Sequence, residues 1–151
     1  MKRIAIVTGA SRGIGREIAK MLAKEDIQVI ANYNNSEKKA IELQEELKKE
    51  NINIDIFKAD ISKREDARKL VEYTLEKYKK IDILVNNAGI SEYKMFTEET
   101  DSDWNRVINN NLYSAFVMCQ EVIPNMIHNK NGNIINISSV WGMVAVSYTH
   151  L

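Results

Sequence analysis

Three groups of residues have types and spacings that could do chemistry. The first is the turn Thr8-Gly9-Ala10-Ser11-Arg12-Gly13-Ile14-Gly15, between an apolar run and a helical pattern. A strand, a glycine-rich turn and a helix N-terminus together make an anion site. Unpaired N–H groups point outward there, and the helix dipole favours negative charge. Glycines also let the backbone approach a pyrophosphate closely. A triphosphate-type loop needs Gly-Lys-Ser/Thr, and here Gly13 is followed by Ile14. A purely structural tight turn is the alternative.

The second is Asn111. Trp104, Val107, Ile108, Leu112, Ala115 and Phe116 form an apolar stripe at helical spacing, and Asn111 falls on it. A buried amide must find partners or cost about 1–3 kcal/mol. One reading is a core asparagine bonded to the backbone. Neighbouring Asn109 and Asn110 read as exposed-face or turn residues. The third group is Ser138 and Ser139, closing "GNIINISS". If that run is a strand, they stand at its carboxyl end, where ligands bind in open α/β sheets. Two turn-capping serines are the alternative.

The elements that must position these groups alternate. "RIAIVTG", "IQVIANY", "INIDIFKAD", "IDILVNNAG" and "GNIINISS" read as five strands. Between the first two lies a helix with Ile14, Ile18, Met21 and Leu22 as its apolar positions. Ser36 can cap a second helix, carrying Ala40, Leu43 and Leu47. Ser62 and Glu65 read as a capping box before a third, with Ala67, Leu70, Val71, Thr74, Leu75 and Tyr78 inward. A long helical stretch runs from about 102 to 128, strained near its end by Pro124. Strands that are near-continuously apolar, alternating with helices, imply a parallel sheet covered on both faces. The fold class is therefore α/β, a Rossmann-type doubly wound parallel sheet of five strands in the order 3-2-1-4-5.

Composition excludes several classes. Twenty-one basic residues balance 21 acidic ones, so no basic excess points to nucleic acid or an anionic membrane. The lone Cys119 excludes an internal disulfide framework and any multi-cysteine metal site, and no metal is expected. No apolar run approaches the ~20 residues of a membrane span, and "IAIV" is too short for a signal-peptide core. Cytoplasm is the expected location. The sequons at Asn34 and Asn136 carry no weight without export. His128 reads as an exposed helix-end residue; Trp104 and Trp141 read as packing.

The glycine spacing Thr-Gly-x-x-x-Gly-x-Gly resembles the opening of the short-chain dehydrogenases/reductases. The resemblance continues at Asn86-Asn87-Ala88-Gly89, at Asn111 and at "IINISSVWG", across residues 1–143. Within the family, "VTGASRGIG" and "DILVNNAGI" are most similar to bacterial 3-oxoacyl-acyl-carrier-protein reductases of fatty acid synthesis. The resemblance implies hydride transfer from a nicotinamide cofactor to a carbonyl, with a small-molecule or acyl-thioester substrate. It implies a homo-oligomeric parent, dimer or tetramer. It assigns Gly9, Ser11, Arg12, Gly13, Ile14 and Gly15 to the cofactor's phosphates and adenosine side, and Asp60 and Ile61 to the adenine. Asn87, Ala88 and Gly89 border the ribose next to the nicotinamide, while Asn86 ties neighbouring strands. Ser139 hydrogen-bonds the substrate carbonyl, and Asn111 becomes a catalytic asparagine that positions a proton-relay water.

Cofactor choice is read where the second strand ends. An NAD enzyme places a carboxylate there for the ribose hydroxyls. Here the strand ends Asn32-Tyr33-Asn34, with no acid, and Arg12 in the glycine loop can hold a phosphate. NADP is expected over NAD, with Asn34 among its contacts.

The family's proton donor is a tyrosine about thirteen residues after the serine, with a lysine four later lowering its pKa from about 10. Tyr148 comes too early after Ser139, and no lysine follows Lys130. Residues 1–143 are expected to form an incomplete nucleotide-binding domain, and 144–151 an atypical tail foreign to the gene. On that expectation the chain as written does not reduce carbonyls. The alternative is a nucleotide-binding or regulatory module without catalytic activity. A non-nucleotide interaction domain fits neither Asn111 nor the glycine loop.

Overall fold

The computed structural model describes residues 2–92 and 94–139. The expected elements at Val140, Trp141, Gly142 and Tyr148 lie outside them. Each short β-branched run forms a strand: β1 (Ile4–Val7), β2 (Gln28–Tyr33), β3 (Asp55–Lys58), β4 (Ile83–Asn86) and β5 (Asn133–Asn136). All pair in parallel, in the order β3-β2-β1-β4-β5. The helices are α1 (Gly13–Lys24), α2 (Glu37–Lys49), α3 (Arg64–Tyr78), α4 (Asp101–Ile108) and α5 (Ser114–His128).

Strand alternation splits the core in two. Ile4, Ile6, Ile30 and Leu84 face α3 and α5 and pack with Leu70, Val71, Val117 and Val122. Ala5, Val7, Val29, Ala31 and Val85 face α1 and α2 and pack with Ala19, Ala23, Leu43 and Leu47. Asn86 ties β4 to β5, donating to the Asn136 Oδ1 at 2.9 Å and to the Cys119 Sγ at 3.4 Å. At the outer edge, Asp55 on β3 accepts from the Tyr73 and Tyr78 hydroxyls, both at 2.8 Å, and from the Lys77 ammonium at 2.7 Å. That cluster fixes the edge strand to the end of α3.

Three sequence expectations are corrected. The buried face of α1 is Gly15, Ala19 and Ala23, while Ile14 and Met21 are exposed. Small residues let this helix sit close on the sheet, so the larger apolar positions lie off the contact. Ser62 and Glu65 form no capping box: α3 starts after Lys63, and the Ser62 hydroxyl donates instead to Asp60 Oδ1 at 2.6 Å. A capping box does form at Thr100 and Asp103, at the start of α4.

The third correction concerns Asn111, which is exposed rather than buried, as are Trp104, Leu112 and Phe116. Between α4 and α5 the helix opens into a π turn, Asn109–Tyr113. One extra residue in a turn rotates the rest of the helix by about 100°, so a single α-helical stripe does not extend across it. Two side chains take up carbonyls in this region. Asn110 Nδ2 donates to the Arg106 carbonyl at 2.8 Å, and Ser114 Oγ donates to the Asn110 carbonyl at 2.6 Å. The helix then continues through Pro124 to His128. Among the described residues, no helix is long and apolar enough to cross a membrane.

Candidate functional site

In a parallel sheet every strand delivers its carboxyl end to the same edge, and the loops after the strands meet there. The organising residue is one that sequence reasoning passed over. Thr8, fully buried just after β1, accepts the backbone N–H groups of Asn87 and Ala88 on its Oγ1, both at 3.0 Å. Its hydroxyl donates to the Val85 carbonyl at 3.2 Å. Asn87 answers with its side chain, whose Nδ2 donates to the Thr8 carbonyl at 2.9 Å. The loop after β4 is thereby joined to the glycine loop after β1.

The glycine loop has little spare room behind it. Gly9 has φ +64°, and a Cβ there would come within 2.9 Å of the Ala88 Cα. A Cβ on Gly15 would meet Asn87 Nδ2 at 2.3 Å and the Gly9 carbonyl at 2.7 Å. Gly13, with φ +57°, would meet nothing within 4 Å, because it faces the open cleft. Arg12, at the N-cap of α1, is extended and makes no side-chain cap, so its side chain satisfies none of the first amides of that helix.

Asn32, buried near the end of β2, is also scaffold. Its amide donates to the Ala59 carbonyl at 3.0 Å, its Oδ1 accepts the Gly9 N–H at 3.4 Å, and its own carbonyl accepts from Ala10 at 2.8 Å. Asp60, after β3, accepts both the Ser62 hydroxyl and the Ser62 N–H, the latter at 3.2 Å. Burial pushes the Asp60 carboxyl up, but these bonds outweigh it and hold it below its ordinary 3.8.

These loops enclose a cleft of about 550 Å³ lined by Gly9, Ser11, Arg12, Gly13, Ile14, Asn32–Ser36, Ala59, Asp60, Ile61, Asn87–Ile90 and Asn110. Asn34 is thus in the wall, and Gly15 lies behind it. Asn110, read from sequence as an outward residue, lines the cleft. Asn111 instead grips the loop beside it: its Nδ2 donates to the Ile90 carbonyl and its Oδ1 accepts the Ile90 N–H, each at 2.8 Å. Ser138 and Ser139 follow β5 at this same carboxyl edge, and both are exposed. The wall combines backbone donors, a basic side chain and uncharged polar groups on the glycine-loop and β2 sides, with the Asp60 carboxylate on the β3 side; the first two sides suit the anionic part of an elongated ligand.

The comparisons point the same way. The family model described as short chain dehydrogenase matches residues 3–150. The 3-oxoacyl-[acyl-carrier-protein] reductase of Staphylococcus epidermidis is 37% identical over 142 residues, covering 94% of this chain and 58% of that protein. The Staphylococcus aureus protein of the same name is 37% identical over 144 residues, again covering 58% of its length. The chain therefore spans under two thirds of these relatives. Among solved structures, gox2181 superposes with a TM-score of 0.90 at 30% identity, covering 99% of this chain and 58% of that one. A metagenomic short-chain oxidoreductase in complex with NADP also gives 0.90 at 30% identity, covering 95% of this chain and 65% of that one.

Proposed function

Because the chain belongs to the short-chain dehydrogenase family, we propose that its cleft binds a nicotinamide adenine dinucleotide, NADP in preference to NAD. The observation that carries this reading is the cleft wall. One side is a glycine loop at a helix N-terminus, and the other is the uncharged run Asn32–Ser36. The residues present fit the group. Gly13 leaves open space where a diphosphate would approach, and the first amides of α1 are available as donors. Arg12 and Ser36 supply a cation and a hydroxyl for a 2′-phosphate.

NADPH, when bound, supplies a hydride to a carbonyl carbon. The chain's own residues bind and orient. Gly9, Ser11, Gly13 and Ile14 cradle the phosphates, with Gly15 letting the helix close on Asn87. Asp60 and Ile61 receive the adenine. Ala88 and Gly89 border the nicotinamide ribose. Asn111 holds the backbone of Ile90, next to Gly89, in place, and Ser139 polarises the carbonyl. The similarity to two 3-oxoacyl-[acyl-carrier-protein] reductases supports a 3-oxoacyl thioester as the substrate of the whole enzyme. The exposed apolar side chains of Trp104 on α4, Leu112 in the π turn and Phe116, Ile123 and Ile127 on α5 support a homo-oligomer.

A second reading is a nucleotide-binding or regulatory module without catalysis, in which the same cleft serves binding alone. Residues 1–143 act as the binding unit on either reading. The test is a fluorescence titration of the purified chain with NADPH and NADH. Saturable binding with NADPH tighter supports the proposal; no binding of either nucleotide defeats it.

A further inference from the structure

The sequence carries no acid at the end of β2, but it does carry one close by in space. Glu37 is the first residue of α2, and the hydroxyl of Tyr33, the last residue of β2, donates to its Oε1 at 3.2 Å. Tyr33 is 6% exposed and lies in the cleft wall. Asn34, Asn35 and Ser36 also line the cleft, yet Glu37 does not. Its side chain instead borders a shallow depression on the outer face of α2, with Lys38, Ile41, Glu42 and Glu45. The carboxylate that directly follows this stretch of wall in sequence is thus turned off it and tied there by a buried phenol.

We propose that Tyr33 is a specificity-positioning residue: by holding Glu37 away from the cleft, it keeps that carboxylate off the stretch of wall formed by residues 32–36. The proposal rests on the dinucleotide reading above. A released carboxylate at the start of α2 would lie one residue from Ser36. It would repel a 2′-phosphate and could instead accept the ribose hydroxyls that NAD presents. Burial pushes the Tyr33 phenol above its ordinary value of 10, and its bond to Glu37 pushes it further. It therefore stays protonated, and stays a donor, at every pH where the nucleotide would be tested. The other polar side chain at this end of β2, Asn32, is committed to backbone groups, so Tyr33 is the one that controls Glu37.

The test is a binding cycle on the 151-residue chain, with NADPH and NADH dissociation constants measured by titration for the parent, Tyr33→Phe, Glu37→Gln and the double variant. Glu37→Gln alone should change either affinity by no more than about twofold, because an exposed carboxylate held off the cleft wall is well screened. Tyr33→Phe should weaken NADPH about three- to tenfold and leave NADH unchanged or tighter, as expected for a like charge brought near a phosphate. The double variant should recover the NADPH affinity. An unchanged NADPH/NADH ratio in Tyr33→Phe overturns the proposal. So does a loss that persists in the double variant, which would make Tyr33 merely structural. A Glu37→Gln variant that binds NADH more weakly also overturns it, since Glu37 would then hold the ribose itself. Failure of the parent to bind either nucleotide removes the dinucleotide reading and this inference together. A parent that binds NADPH while Tyr33→Phe has no effect removes only the inference.

Discussion

Asn111 and Ile90 close a two-bond ring: the asparagine amide donates to the Ile90 carbonyl and accepts the Ile90 N–H, both at 2.8 Å. The loop after β4 is thus held from two sides, by Asn111 on the helical side and by Thr8 on the β1 side. A Cβ on Gly89 would come within 3.0 Å of Asn111 Oδ1, so the glycine permits the approach that makes the ring. The π turn carries Asn111 off the face that Val107 buries and presents its amide to the loop.

Asn111→Ala should therefore act mainly on loop order. Both bonds are exposed to water, so the stability loss should be only about 1 kcal/mol. Asn111→Asp should be worse than alanine for nucleotide binding, because a carboxylate oxygen would replace the donor facing the Ile90 carbonyl. Denaturant unfolding and nucleotide titration of both variants check this. Equal binding by the parent and Asn111→Asp would count against the ring's role.

Gly15→Ala tests the join between the glycine loop and Asn87. The added methyl meets a side-chain nitrogen at 2.3 Å and a backbone carbonyl at 2.7 Å, and the carbonyl cannot swing away. Overpacking of this kind costs about 1–3 kcal/mol. The thermal midpoint should fall and nucleotide affinity should fall with it. A variant as stable as the parent would mean that helix α1 can move out freely.

Sequence reading was strong where one period ruled and weak where side chains act through space. The strands and the inward faces of α2 and α3 follow from apolar spacing, and the strand order from the alternation of strands and helices with the chain reversing beside the first strand. The face of α1 misled because Gly15, Ala19 and Ala23 make the closest contact, while apolar size points to Ile14 and Met21. Asn111 misled because a π turn changes the period within one helical run, and nothing in the residue types announces that. Ser62 and Glu65 have capping-box spacing, but Asp60 competes for the serine hydroxyl. Thr8 was legible as part of the glycine motif, yet its two accepted N–H groups come from residues 79 and 80 positions away. The Tyr33–Glu37 pair spans one helical turn's worth of sequence, but it crosses a strand end and a helix start, where no single period applies.

Asp82 gives a pH-dependent stability. It is buried at the amino end of the sheet. It accepts the Ile4 N–H at 2.8 Å, the Lys80 ammonium at 2.9 Å and the Asn131 amide at 2.9 Å. Burial pushes its carboxyl up, but Lys80 and the Ile4 N–H outweigh that and hold it below 3.8. A depressed carboxyl stabilises the fold above the unfolded-state value and loses that contribution as pH falls through the folded one. The stabilisation should be complete above about pH 5 and fade below about pH 4. Asp82→Ala should cost about 2–3 kcal/mol at neutral pH, and the gap to the parent should narrow in acid. Urea midpoints at neutral pH and near pH 3 measure it; a gap independent of pH would contradict the assignment.

Arg12 should report on the 2′-phosphate. It is exposed in the cleft wall at the start of α1, with an extended backbone. Arg12→Ala should weaken NADPH about tenfold, the scale of one charge-assisted contact of ~1.4 kcal/mol, and leave NADH nearly unchanged. Raising the salt concentration should narrow the parent's preference in the same direction. An equal loss for both nucleotides would place Arg12 on the diphosphate instead.

Turnover needs a positioned proton donor. Ser139 stands at the carboxyl edge of the sheet and Asn111 orders the loop beside the cleft, but neither is a phenol paired with a lysine. Within these 151 residues the tyrosine after Ser139 is Tyr148, and the last lysine is Lys130. A tyrosine with its ordinary pKa of about 10 exchanges its proton poorly at neutral pH unless a nearby cation stabilises the phenolate. Positioned general acid–base groups contribute typically ~10²–10⁴-fold, and groups that act as one unit do not contribute independently. A polypeptide of these 151 residues alone should therefore bind NADPH yet oxidise it with a 3-oxoacyl thioester at least about a hundredfold more slowly than either staphylococcal reductase assayed alongside. Tyr148→Phe should leave that residual rate unchanged. Brisk turnover abolished by the substitution would make Tyr148 the proton donor and require another group to do the work of the lysine.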